Sequence, residues 1–215
     1  MTERRRLRRR WLAAGLAAVV LAAAGVGWWW RSGHAPAELP ASACWSVLTR
    51  ADLEPLAADQ HGTFVEDYSM DYGGGLHPTP DSQTCDVRNA EHVVLSVHMR
   101  SVDEFTMEVL YGAGSKVSKR PLDFGADVQG WVEPEEVSLA LRCDNPENTR
   151  IGRPYVRVVV NTYVSSPMPD RSHRAILDIL LKYAKAVVAS YPCSNPLHLP
   201  DSVPESATNF PSPNH

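Results

Sequence analysis

Asp170–Ser190 reads DRSHRAILDILLKYAKAVVAS. Ile176, Leu180, Tyr183 and Val187 recur at helical spacing, with Leu177, Leu181, Ala184 and Val188 beside them. Asp178, Lys182 and Lys185 form the opposite, polar face. Asp170 or Ser172 is placed to cap the start, and Pro192 to end the helix. A stripe that broad must be buried against another layer. The segments upstream supply a sheet. Val93, Leu95, Val97 and Met99 alternate with His92, Val94, Ser96 and His98, the pattern of a half-buried strand. Tyr155–Val164 is β-branched and aromatic, and Val128–Val132 and Val137–Cys143 flank a turn at Glu133-Pro134-Glu135. Phe64–Ser69 is a further strand candidate.

Thr49 and Asp52 form a short capping box ahead of a helix over about residues 50–58, kinked at Pro55, with Leu48, Leu53 and Leu56 on its apolar side. Residues 73–75, all Gly, with Pro78 and Pro80 predict a loop; so do Gly112–Pro121 and the polar stretch Asp144–Pro154. Thr106–Tyr111 reads equally well as helix or strand. The order helix, strands, helix predicts an α+β domain. It has an antiparallel sheet of about five strands, with the N- and C-terminal helices on one face. A β-sandwich fits less well, because the last helix needs a sheet to cover its stripe.

Charge divides the chain in two. Residues 1–31 hold seven Arg and one Glu, net +6; the remaining 14 Lys plus Arg and 24 Asp plus Glu give net −10. An acidic body argues against nucleic acid, which needs clustered Lys and Arg, and against docking on anionic lipid through the domain surface. Six arginines among residues 1–10 precede Trp11–Trp30, a stretch without charge. Twenty residues at 1.5 Å rise span about 30 Å, the hydrocarbon thickness of a bilayer. One arginine, Arg31, follows it, so the positive-inside rule orients the chain with its N-terminus in the cytoplasm and its body outside. Trp28, Trp29 and Trp30 then sit at the outer interface. The rival is a cleaved signal peptide ending at Ala22-Ala23-Ala24, which would leave three tryptophans beside a free terminus. We favour the uncleaved anchor.

The predicted organisation is a cytoplasmic basic head (1–10), a transmembrane anchor (11–30), a stalk (31–43), an extracytoplasmic domain (44–199) and a disordered Pro-rich tail (200–215). Four cysteines, Cys44, Cys85, Cys143 and Cys193, all follow the membrane segment, and none forms a C-x-x-C pair. That predicts two structural disulfides in an oxidising space rather than zinc or redox chemistry. Three connectivities are open. Cys44–Cys85 with Cys143–Cys193 is favoured because each bridge then clips one half of the domain.

Candidate chemistry is sparse. His92 and His98 share a strand face about 20 Å apart, too far to share an ion, and the ordinary reading of the eight histidines is a solvated surface. Glu66, Asp67 and Asp71 do not have EF-hand spacing. Tyr68, Asp71 and Tyr72 form a candidate interaction loop, against the plainer reading of a solvated turn. Gly112-Ala113-Gly114-Ser115-Lys116 lacks the spacing of a phosphate loop, and there is no G-x-S-x-G or H-E-x-x-H motif. No catalytic residue, cofactor or metal ligand is therefore expected.

Three features give the chain a resemblance. They are the Arg-rich membrane segment, the opening Cys44-Trp45-x-x-Leu48-Thr49-x-x-Asp52-Leu53, and a last helix running into Cys193-Ser194-Asn195-Pro196-Leu197. The chain resembles actinobacterial membrane-anchored cell-envelope proteins of unknown function over residues 44–199 and the membrane anchor. Members often carry a lipobox; here Ala41 stands where a lipobox has Leu. The resemblance implies an envelope location and brings no catalytic residues. The expected role is a membrane-anchored extracytoplasmic binding or interaction module. Its partners are the membrane, through residues 11–30, and an envelope protein, glycan or small ligand. The alternatives are an assembly subunit that uses its tryptophan-rich helix, and an extracytoplasmic hydrolase.

Overall fold

The computed structural model describes residues 37–69, 76, 83–103, 120–124, 128–132, 136–150, 152–163, 170–191 and 193–205. The head, the anchor, Asp71, Tyr72, segment 106–111 and residues 206–215 lie outside the described residues. Among the described residues no helix is long and apolar enough to cross a membrane.

The architecture is α+β. Nine strands are described: β1 (Ser42–Ala43), β2 (Leu48–Thr49), β3 (Val65–Ser69), β4 (Gln83–Arg88), β5 (Val93–Val102), β6 (Arg120–Asp123), β7 (Val128–Val132), β8 (Glu136–Arg142) and β9 (Tyr155–Thr162). The helices are α1 (Arg50–Ala57), α2 (Pro146–Arg150) and α3 (Asp170–Ser190). β1 and β2 form a small hairpin, and the other seven strands form one sheet in the order β3-β4-β5-β9-β8-β7-β6. Every neighbouring pair is antiparallel. Two meanders, β3–β5 and β6–β9, are thus joined where β5 pairs with β9 at the centre.

Period-2 alternation builds the core. Leu95, Val97 and Met99 of β5, Val156, Val158 and Val160 of β9, and Val137, Leu139 and Leu141 of β8 are buried on one face. Helix α3 covers β8 and β9 with Ile176, Leu177, Leu180, Tyr183, Ala184 and Val187, and α1 lies against α3 and β5. Burying each such aliphatic side chain contributes about 1.5–3 kcal/mol. Both helices therefore cover the same face, as the stripe of α3 requires.

The sheet has seven strands, not about five. In β4 the inward residues are Gln83, Cys85 and Val87, so the buried side does not read as apolar. β6 begins inside the expected loop 112–121 and contains Pro121; an edge strand tolerates a missing N–H. The polar stretch 144–154 contains the short helix α2. Helix α1 runs through Pro55 without a break. Ser172 does not cap α3; it is buried, and its Oγ donates to the Pro55 carbonyl at 3.3 Å, tying α3 to α1. In α1, Asp52 Oδ2 accepts from Thr49 N and Oγ1 at 2.7 Å each and from Lys182 Nζ at 2.5 Å. Burial by itself would raise the Asp52 pKa, but the hydrogen bonds from Lys182 and Thr49 outweigh it and hold the carboxyl below its usual range.

Both ends of the domain extend beyond their expected limits. Within the expected stalk, Leu39 and Ala43 are buried. Glu38 N donates to the Gly62 carbonyl, and Phe64 N to the Glu38 carbonyl, each at 2.9 Å. Within the expected tail, Val203 joins the core at 3% exposure, and Lys185 Nζ donates to the Asp201 carbonyl. Disulfides join Cys44 to Cys85 and Cys143 to Cys193. One ties the β1–β2 hairpin to β4, the other ties the end of β8 to the segment after α3. Two such bridges fit a domain that folds in an oxidising compartment.

Candidate functional site

The two sequence motifs at the ends of the domain are absorbed by structure. Cys44, Trp45 and Ser46 have φ of 52°, 58° and 59°, three consecutive residues in the left-handed region. Each costs about 1–2 kcal/mol, so the turn persists only where its surroundings hold it. The surroundings do so densely. Cys44 N donates to Glu66 Oε2 at 2.8 Å, Trp45 N to the Tyr68 hydroxyl at 3.0 Å, and that hydroxyl to Glu66 Oε2 at 2.8 Å. From below, the Tyr183 hydroxyl donates to the Cys44 carbonyl at 3.0 Å. The Trp45 ring packs on Tyr68, with centroids 5.3 Å apart, and edge-on to Tyr183 at 6.3 Å. Two successive N–H groups thus point at an anion that the protein itself supplies, the Glu66 carboxylate with its attached phenol. Burial, then the nearby Tyr68, Glu66 and Asp52, push the Tyr183 phenol well above its ordinary pKa.

At the other end, Asn195 Nδ2 donates to the Arg142 carbonyl and Asn195 Oδ1 accepts from Asp144 N, each at 2.8 Å, bracketing Cys143. Tyr68, expected at an interaction loop, is half-buried and uses its hydroxyl internally. The structure therefore places it under the left-handed turn, while Asp71 and Tyr72 lie outside the described residues.

The chemistry gathers instead on the face of the sheet opposite α1 and α3. The pairing registers align Ser96 of β5, Asn161 of β9 and Glu136 of β8 in one row, then His98, Val159 and Ser138, then Arg100, Arg157 and Ala140. Arg157 reaches Glu136 at 3.1 Å although its own row partner is Ala140. Its side chain must therefore run along the sheet past Val159 and Ser138, both of which are buried. The pair is mostly shielded, at 11% and 25% exposure. A cleft of about 250 Å³ opens there, lined by His98, Arg100, Glu136, Arg157, Val159 and Asn161. Beside it Val102, Trp131 and Ala140 make a small second apolar cluster with Tyr155.

His98 is not a solvated surface histidine. It is half-buried, with Nδ1 2.9 Å from Thr84 Oγ1 and Nε2 2.9 Å from Ser96 Oγ. Ser96 Oγ in turn donates to Asp86 Oδ1. A carboxylate only accepts, so the serine proton points at Asp86. Ser96 Oγ then accepts from Nε2–H, and Nδ1 accepts from Thr84. Burial lowers the His98 pKa; Asp86 opposes the shift, and Arg157 and Arg100 reinforce it, so the ring is neutral at pH 7. The order Asp–Ser–His is not that of a nucleophilic triad, in which the histidine stands between the other two. Ser96 is also buried, out of reach of a substrate. Arg100, by contrast, is exposed, and burial of part of its chain, then Arg157 and Arg153, lower its pKa, with Asp103 opposing. Among the described residues, no group of three or more His, Cys, Asp or Glu could hold a metal ion.

The sequence reading singled out His98 and passed over Arg100, Glu136, Arg157 and Asn161. The available signal was a charged residue inside a valine-rich strand: Arg157 and Asn161 alternate with buried Val156, Val158 and Val160. Its convergence with β5 needed the β5–β9 pairing, which separates residues by about 60 positions and leaves no local mark. No protein-family model, curated protein or solved structure matches the chain.

Proposed function

We propose that the chain is a membrane-anchored extracytoplasmic binding module, held by residues 11–30, whose ligand sits in the cleft on the sheet face opposite α1 and α3. One observation carries this reading. Two guanidinium groups, a carboxylate and a carboxamide converge on a half-open cavity built on the three central strands, β5, β9 and β8. Sites on paired strands hold their geometry better than sites on loops. The cleft offers recognition groups, and the two hydroxyls that His98 contacts, Thr84 and Ser96, are not among its lining residues, so neither stands in it as a nucleophile. Binding without turnover is the chemistry it supports. The two disulfides and the resemblance to envelope proteins favour the outer face of the membrane.

The test uses the full chain in detergent micelles. Thermal unfolding is followed with panels of carboxylates, phosphates, sugars and short peptides. At least one class should raise the midpoint, and Arg100→Gln should remove that rise. If every rise survives Arg100→Gln and Asn161→Ala, the ligand does not sit in this cleft. Protease added to intact cells should also degrade the domain; protection until lysis would overturn the orientation.

A further inference from the structure

We infer that the cleft takes a small monoanion of the carboxylate class, seated on Arg100 and Asn161 with a short apolar part against Val159; this rests on the cleft being the ligand site. The argument begins with charge. The lining holds two guanidinium groups and one carboxylate, an excess of one positive charge. Arg157 spends its charge on Glu136 at 3.1 Å and is largely shielded. Arg100 is the exposed guanidinium, crowded by Arg157 and Arg153. Like charges held together in a partly desolvated site raise its affinity for an anion, and a guanidinium fork matches a carboxylate in plane and spacing.

Glu136 sets the upper limit of ligand charge. It stands in the same row as Asn161, directly across the β8–β9 pair, so a dianion seated beside Asn161 meets a fixed negative charge. His98 cannot add a donor, since its Nδ1 and Nε2 are within hydrogen-bond distance of Thr84 and Ser96. It closes the cleft as a neutral wall. Val159, in the row next to Asn161, gives the floor an apolar surface suited to an alkyl group. Together these features select one negative charge and a small hydrocarbon body, and disfavour a phosphate dianion or a cation.

The experiment titrates the full chain in micelles at about pH 7.5, where inorganic phosphate is mostly dianionic, with butyrate, inorganic phosphate and butylamine, by calorimetry. Butyrate should bind at least about tenfold more tightly than either other probe, and Arg100→Gln should weaken it about tenfold or more, the loss expected for one charge-assisted hydrogen bond. Arg100 is exposed, so the unfolding midpoint of this variant should stay unchanged and report that it folds. Glu136→Gln should narrow the gap between butyrate and phosphate. Phosphate binding as tightly as butyrate, with both lost in Arg100→Gln, would overturn the carboxylate assignment and leave the cleft as the site. Butyrate binding that is indifferent to Arg100→Gln, or no binding of any probe, would overturn the inference; the reading beneath it falls only if no ligand class loses its effect in Arg100→Gln.

Discussion

Tyr183 donates its hydroxyl to the Cys44 carbonyl from inside the core, beneath three residues held at positive φ. Tyr183→Phe would leave that carbonyl without its buried donor, and the expected loss is about 1–3 kcal/mol, read from urea unfolding of the full chain. The same hydroxyl fixes an alkaline limit. The folded phenol titrates well above the ordinary value of 10.0, so the unfolded chain loses this proton first. The stabilisation is complete below about pH 10 and declines above it, and Tyr183→Phe should flatten that decline. His98 acts with the opposite sign. Its folded pKa lies below the ordinary 6.5, so the unfolded chain takes up the proton first as pH falls. Its contribution is complete above about pH 6.5 and is lost as pH drops through the folded value. The urea midpoint should therefore fall between about pH 7 and pH 5, and the fall should shrink in His98→Gln. Asp52, whose pKa is lowered from 3.8, titrates below that window and does not confuse the measurement.

Elements with a strong period were legible in the sequence, and elements whose inward residues break the apolar pattern were not. Helix α3 and strands β5 and β9 carry uninterrupted stripes, and their boundaries follow to within a few residues. β4 hides because Gln83 points inward and is buried beside Cys85 and Val87. β6 hides because Pro121 reads as a breaker, although an edge position makes it harmless. Gly130 in β7 has the opposite character: it reads as a weak point and is instead a packing requirement. A Cβ there would stand 2.6 Å from Leu139 Cδ2, 3.0 Å from Leu122 Cβ and 3.2 Å from the Ser138 carbonyl oxygen. The leucine tip can turn away, but the Ser138 carbonyl belongs to the β7–β8 ladder and cannot. Gly130→Ala should therefore destabilise the domain by about 1–3 kcal/mol, the range for overpacked cores, where an ordinary strand glycine would gain from the change. Equilibrium unfolding of the variant decides between the two signs.

On the scale of the molecule, the two bridges divide the work of closing the chain. Cys44–Cys85 spans 41 residues and joins the amino-terminal hairpin to the β3–β5 meander; Cys143–Cys193 spans 50 and joins the β6–β9 meander to the end of α3. Loop-closure entropy alone assigns them almost equal weight, about 4 kcal/mol each. The local structure breaks that equality. The first bridge also anchors the left-handed turn at Cys44–Ser46, and its loss would let that turn relax and release the hydrogen bonds to Glu66, Tyr68 and Tyr183. The second leaves Asn195 still bridging Arg142 and Asp144, so the ends stay close when the sulfurs are gone. Cys44→Ser with Cys85→Ser should therefore cost more than Cys143→Ser with Cys193→Ser, by about 1–2 kcal/mol, the value of one buried hydrogen bond freed with the turn. Relief of the strained φ angles works in the other direction, because a relaxed turn regains part of its backbone energy. Unfolding free energies for the two double variants weigh these effects directly. Equal losses would mean that the relaxed turn recovers as much as its contacts forfeit, and a larger loss for Cys143→Ser with Cys193→Ser would mean that Asn195 cannot hold the carboxyl-terminal segment alone.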